Sequence, residues 1–168
     1  MRNQEREMRE EKRKEQVAKN TGGIPGLFFF ACFLLFVAVV PLFSQNAEEI
    51  EVLLSRDAVT YEEAAWFVLR IAEVPGISGS AEAFDYAWER YWLPSGAEPG
   101  AAARLDGVAL LVMQSFGYKG GAMYTMTKSS RYAYRELVYC GVIQGRVEPA
   151  MNVSGELLLY MAGRVLEQ

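Results

Sequence analysis

Histidine is absent from the 168-residue chain. Its absence removes the commonest general base, the Ser-His and Cys-His nucleophile pairs, and the zinc sites that depend on imidazole. Cysteine is nearly absent as well. Cys32 lies in an apolar run near the N-terminus, and Cys140 stands alone once that run is removed. No internal disulfide and no thiolate metal site can then form, and Cys140 reads as a small buried apolar residue. Strand signals are scarce: Val138–Ile143 is the one tempting run, and Gly141 and Gly145 weaken it. The glycines from Gly117 to Gly121 lack the spacing of a phosphate loop and the Lys-Ser/Thr that follows one. No cofactor and no metal are expected.

Carboxylates remain available. Glu62, Glu63, Asp85, Glu89, Glu136 and Glu156 are candidates for a lytic glycoside hydrolase, which needs two carboxyl groups facing each other across a cleft. Most of these positions read as helix caps or solvated faces, so this is the third of three functional readings, and a non-enzyme is expected.

What the chain does have is an unevenly spread apolar content. Gly26–Phe43 runs for eighteen residues without a charge, behind a segment holding Arg2, Arg6, Arg9, Lys12, Arg13, Lys14 and Lys19. A basic stretch followed by an apolar one is the pattern of an export signal. Residues 1–44 are therefore read as a charged n-region and a hydrophobic signal peptide or signal anchor, with translation starting at Met1 or Met8. Pro41 and the small polar run Ser44-Gln45-Asn46-Ala47 favour cleavage, after Ser44 or Ala47. If uncleaved, the run is just long enough to cross a hydrocarbon core of about 30 Å and would anchor a periplasmic domain in the inner membrane. Cys32 lies inside the apolar run, so no lipid attachment is expected.

Beyond residue 44, ten basic residues face sixteen acidic ones, a net of −6. Such a surface disfavours nucleic acid and anionic lipid. Residues 45–58 read as an acidic linker or a short first turn, and 59–168 as an all-α domain of about five helices. The first runs from Tyr61 to Glu73, opened by a capping box between Thr60 and Glu63 and stopped by Pro75-Gly76. Next come Ala81 to Trp92 and Ala102 to Phe116, the latter apolar enough to be central. Ala122–Lys128 reads as a loop. Tyr132 to Tyr139 and Leu157 to Leu166 complete the set, joined through Gly141, Gly145 and Pro149.

The longest helices can be laid on one another. Glu63, Asp106 and Glu156 align as carboxylates at helix starts, at offsets of forty-three and fifty residues. The fifty-residue offset also pairs Ala83 with Ala133, Trp92-Leu93 with Val142-Ile143 and Glu98-Pro99 with Glu148-Pro149. A helix, a Gly/Pro loop and a second helix cannot bury their apolar faces alone, so such units are expected to share a core. Early carboxylates suit the positive helix end.

The stretch Val59-Thr60-Tyr61-Glu62-Glu63-Ala64-Ala65-Trp66-Phe67-Val68-Leu69-Arg70 resembles the second half of an S-layer homology unit, with its Thr-Arg-Ala-Glu start and its apolar helix ending in Val-Arg. Tyr134–Gly145 with Glu148-Pro149 resembles the first helix, turn and Pro-containing loop of that family, and Val153–Glu156 the next start. The likeness covers Leu53 to Leu166. It implies helical units that together grip cell-wall polysaccharide through the motif arginine. That arginine's place falls here on Tyr61, on Arg104 or Leu105, and on Ser154. The leader and the acidic mature chain also resemble those of small exported proteins of spirochaetes and similar diderms, which implies the periplasm.

Trp88 and Trp92 lie one helical turn apart, a spacing that suits either a stacking platform or a packed face. With Arg104 and Tyr134 they are the candidate ligand or partner surface; Glu63, Asp106 and Glu156 are the structural acids. The leading expectation is a non-catalytic exported envelope or periplasmic protein that binds another envelope component, foremost a protein, through a helical repeat surface. Peptidoglycan or wall-polymer binding is the alternative.

Overall fold

The computed structural model describes residues 48–145 and 147–167. The expected export signal, both candidate cleavage positions and the candidate starts at Met1 and Met8 lie outside the described residues. No described helix is long and apolar enough to cross a membrane.

The described chain is all-α. Residues 48–54 are helical, and six further helices follow: α1 (Tyr61–Ile71), α2 (Ser80–Glu89), α3 (Leu105–Ser115), α4 (Ala122–Thr127), α5 (Ser130–Tyr139) and α6 (Gly155–Leu166). Two elements thus exceed the five expected. The acidic segment forms a short helix that sends Leu53 into the core. Ala122–Lys128, expected as a loop, contains α4. That helix is six residues long and buries only Tyr124, too little for an apolar period to show in the sequence.

The capping box opens α1 as expected: Thr60 Oγ1 accepts from the Glu63 amide at 3.2 Å, and Glu63 Oε2 accepts from the Thr60 amide at 2.8 Å. The helix then buries Tyr61, Ala64, Ala65, Val68 and Leu69. It ends earlier than Pro75-Gly76 suggested. Glu73 turns left-handed (φ 53°), and the Val74 amide reaches back to the Leu69 carbonyl at 3.0 Å. The same closing turn ends α2 at Tyr91 (φ 59°), α3 at Gly117 (φ 63°) and α5 at Gly141 (φ 75°). Each carries the matching back-bond: Trp92 to Ala87 at 2.9 Å, Tyr118 to Met113 at 3.0 Å and Val142 to Leu137 at 2.9 Å. Without a glycine at 73 or 91, two of these four stops leave no signature in the sequence.

Backbone bonds tie the three helix starts into a closed ring. Ala103 N–H donates to the Val59 carbonyl (2.7 Å), Val59 N–H to Val153 (2.8 Å) and Val153 N–H to Ala103 (2.9 Å). Just outside it, Thr60 and Ala102, and Arg104 and Asn152, form isolated antiparallel bridges. The first free amides of each inner helix are met by carbonyls of a preceding or following loop. Tyr61 and Glu62 donate to Ala101 and Pro99, Leu105 and Asp106 to Met151 and Pro149, and Gly155 to Arg56. Val59, Ala103, Leu105 and Val153 have no exposed surface, so the ring sits at the centre of the core. Two outer helices flank it, α2 packing along α1 and α5 along α3. As expected, α3 is the most enclosed: every residue from Gly107 to Met113 is buried.

These bonds correct one register. Thr60, Arg104 and Ser154 are the three N-cap residues, so the offsets are forty-four and fifty. The residue matching Asp106 and Glu156 is Glu62, not Glu63, because Glu63 is committed to the cap of its own helix.

Candidate docking surface

Trp88, on α2, and Trp92, just beyond its end, belong to two separate ring pairs. The inward face of α2, Ala83, Phe84 and Ala87, is buried against α1. Trp88 stacks on Phe84 (6.1 Å between ring centres, 12° between planes) and keeps 40% of its surface exposed. Trp92 is half-buried and meets Tyr86 edge-on at 5.7 Å, while the Arg90 guanidinium covers the other ring of that pair, Tyr86, at 3.5 Å. Trp88 is therefore a surface side chain and Trp92 mostly packing. Tyr91, in the left-handed turn, is 84% exposed.

Arg104 and Tyr134 sit in separate networks. Arg104 caps α3 through its backbone, and its guanidinium grips Asp106 with both Nε (3.2 Å) and Nη2 (3.0 Å). Its amide donates to the Tyr61 hydroxyl at 3.3 Å. Tyr134 is half-buried and donates its hydroxyl to the Val147 carbonyl at 2.6 Å, pinning the loop after α5. The four candidate surface residues thus do not form one constellation: Trp88 lies at the surface, Trp92 packs against the core, and the other two hold loops and helix ends.

The early carboxylates are structural where the fold surrounds them. Ser80 Oγ, at the start of α2, donates to Glu62 Oε1 at 2.5 Å; fifty residues on, Ser130 Oγ, at the start of α5, donates to Asp106 Oδ2 at 3.4 Å. Glu63 adds an ion pair with Arg56 at 3.2 Å to its cap. Glu156, the third of the set, is exposed. Ser80 and Ser130 went unnoticed in the sequence. Their signal is a serine at the same place in two helices fifty residues apart, the offset that also pairs Ala83 with Ala133.

Burial governs the ionisable groups. It raises the phenols of Tyr61 and Tyr118 above their ordinary value, and pushes that of Tyr124 up to about 12, with Glu136 adding to the effect. Glu82 is held below the usual carboxylate range by the backbone and side-chain donors of Ser78. Among the described residues, no group of three or more Cys, Asp or Glu is placed to hold a metal ion.

Comparison adds no relative. No protein-family model, curated protein or solved structure matches the chain.

Other surface features escaped the sequence reading. Cys140, expected buried, is exposed at the C-cap of α5, because the left-handed Gly141 after it turns the chain back so that Val142 and Ile143 enter the core instead. Its neighbour Tyr139 is 89% exposed. On α6, Tyr160 and Leu166 are exposed, at 43% and 65%. Chemically, these surfaces offer apolar and aromatic contact area bordered by carboxylates, the composition of a docking face.

Proposed function

We propose that this is a non-catalytic, exported envelope protein whose described region is a helical docking body for another envelope protein. About two and a half helix-loop-helix units of the S-layer homology kind, the first without its leading helix, would build that body. What supports the units is the ring of backbone bonds through Val59, Ala103 and Val153, together with the closing turns and Ser-carboxylate bonds recurring at forty-four and fifty residues. Export rests on the basic and apolar leader.

One observation carries the choice of a protein partner. In the structural register, the position of the family's motif arginine falls on Tyr61, Leu105 and Gly155, all buried. No guanidinium stands at those positions, and the one nearby, Arg104, is chelated by Asp106. Large apolar side chains such as Trp88, Tyr91, Tyr139 and Tyr160 are the exposed groups instead. A surface of that kind favours protein contacts over an anionic polymer.

Two assays on the purified protein test the proposal. Incubated with sacculi, it is expected to wash off at high salt. With a photo-crosslinking side chain at Trp88 or Tyr160 in intact cells, it is expected to join a defined envelope protein. Salt-resistant retention that disappears in the Arg104→Ala, Trp88→Ala double variant would make wall polymer the ligand. Release of muropeptides would make the protein a lytic enzyme.

A further inference from the structure

Each inner helix presents an outward stripe, and the three stripes are treated differently. On α1 the stripe is Glu62, Ala65, Trp66 and Leu69; on α3 it is Asp106, Ala109, Leu110 and Met113; on α6 it is Glu156, Leu159, Tyr160 and Gly163. Under α2, Ala65 and Leu69 are buried and Trp66 is half-buried; under α5, Ala109, Leu110 and Met113 are all buried. The matching residues of α6 are open: Tyr160, Gly163 and Glu156 are exposed and Leu159 is half-buried. One turn further on, Phe116 is half-buried while Leu166 is exposed. Among the described residues α6 packs against α1 and carries no outer helix.

We infer that the stripe Glu156-Leu159-Tyr160-Gly163-Leu166 of α6 is a docking site for one amphipathic helix of a partner protein, which completes the body in the way α2 and α5 complete it elsewhere. This rests on the docking-body reading and names its surface and the chemistry of its partner. The two resident outer helices specify the occupant. Each is ten residues long and opens on a serine whose hydroxyl bonds the inner-helix carboxylate. Each buries alanine at its fourth position (Ala83, Ala133) and Ala87 or Leu137 at its eighth. Each ends on a left-handed turn followed by an apolar residue packed inward, Trp92 or Val142. The incoming helix therefore carries Ser or Thr in its first position to meet Glu156, and small or aliphatic residues at the fourth and eighth to lie on Leu159, Tyr160 and Gly163. The missing side chain at Gly163 leaves room for a larger residue there than at Leu69 or Met113.

Two other occupants fit less well. At the forty-four-residue offset, the chain's own segment preceding α1 reads Phe-Val-Ala-Val-Val-Pro-Leu-Phe-Ser-Gln over 36–45. It has phenylalanine where the serine belongs and Pro41 at the sixth position, where proline breaks a helix. A second copy already lays its own α2 and α5 on α1 and α3, and their opening serines are bonded to Glu62 and Asp106, so neither helix is free to meet Glu156.

The test uses the full chain, with residues 78–93, which hold α2 and its caps, appended after Gln168 through a flexible Gly/Ser linker. Tethering raises the effective concentration to the millimolar range, so a weakly helical segment can engage. The expected result is a Tm rise of about 4 °C or more, protection of Tyr160 from solvent, and loss of both in Tyr160→Lys and in Glu156→Ala. A scrambled insert is expected to do nothing. Both substitutions fall on exposed positions, so the parent fold tolerates them. An unchanged Tm and an unprotected Tyr160 would overturn the inference, as would sedimentation of the parent chain as a dimer with Tyr160 already shielded. If the site fails while crosslinking from Trp88 still identifies an envelope partner, the docking-body reading stands and only this surface is withdrawn.

Discussion

Tyr124 has no exposed surface and its hydroxyl finds no partner, an arrangement that costs the fold the hydration of that group. Tyr124→Phe removes the hydroxyl and keeps the ring, so chemical denaturation is expected to show a gain of about 1 kcal/mol. The same residue gives the fold an alkaline weakness. Its folded-state pKa of about 12 lies above the ordinary 10.0, so the neutral phenol is favoured by folding. The associated stability is intact below pH 10 and is lost as pH rises from there towards 12, where the unfolded chain ionises first. Denaturation midpoints measured across that window are expected to fall less steeply in the Phe variant. Gly155 makes the opposite kind of point. A Cβ there would lie 1.7 Å from the Leu53 carbonyl oxygen, which belongs to backbone and cannot rotate away. Gly155→Ala is expected to cost about 2 kcal/mol or more, read as a lowered Tm. Nothing in the sequence distinguished this glycine from those of the loops, because what crowds it comes from a hundred residues upstream.

Among the elements, the start of α1 was fully legible, whereas the other starts fall one to three residues from the expected Ala81, Ala102, Tyr132 and Leu157. A capping box is local chemistry, so Thr60 and Glu63 announced α1 by themselves. The left-handed stop of α3 at Gly117 follows the usual preference for glycine, whereas Tyr91 and Glu73 adopt the same conformation against theirs. Gly117→Ala is therefore expected to cost about 1 kcal/mol, and Tyr91→Gly to gain roughly 0.5 kcal/mol, the relief of backbone strain being partly offset by the entropy of the unfolded chain. Urea titration of the two variants checks both signs. Here, too, the sequence reading failed for a physical reason. Pro75-Gly76 looked like the stop of α1, yet the packed Val74 had already turned the chain back to Leu69, as Trp92 does to Ala87 after α2. The aromatic pair Trp88 and Trp92 was correctly singled out, but one helical turn of spacing did not reveal that the left-handed Tyr91 between them separates a surface ring from a packed one.

For the molecule as a whole, the closed ring makes the three inner helices interdependent. Val59 donates to Val153, Val153 to Ala103 and Ala103 to Val59, so removing one member leaves two buried backbone groups without partners. A chain truncated after Gln144, which lacks Val153 and α6, is expected to lose cooperative thermal unfolding rather than melt a few degrees earlier; calorimetry and limited proteolysis would show this. Independent units would instead leave α1 to α5 with a sharp transition. Burial follows the same logic. Leu110 and Tyr160 hold equivalent places on their helices, yet one is 4% exposed and the other 43%, because an outer helix covers the first and, among the described residues, none covers the second.

By itself the sequence determined the all-α class and the capped start of α1, since caps, apolar periods and Gly/Pro loops are short-range chemistry. It also supplied the basic and apolar leader and the absence of histidine that the functional proposal rests on. Only the tertiary structure decided the forty-four-residue register, the exposure of Cys140, the partners of Glu62 and Asp106, and the bare face of α6. Each of these depends on which distant segment lies opposite a residue, and contact across forty or a hundred positions is set by packing that no local pattern encodes.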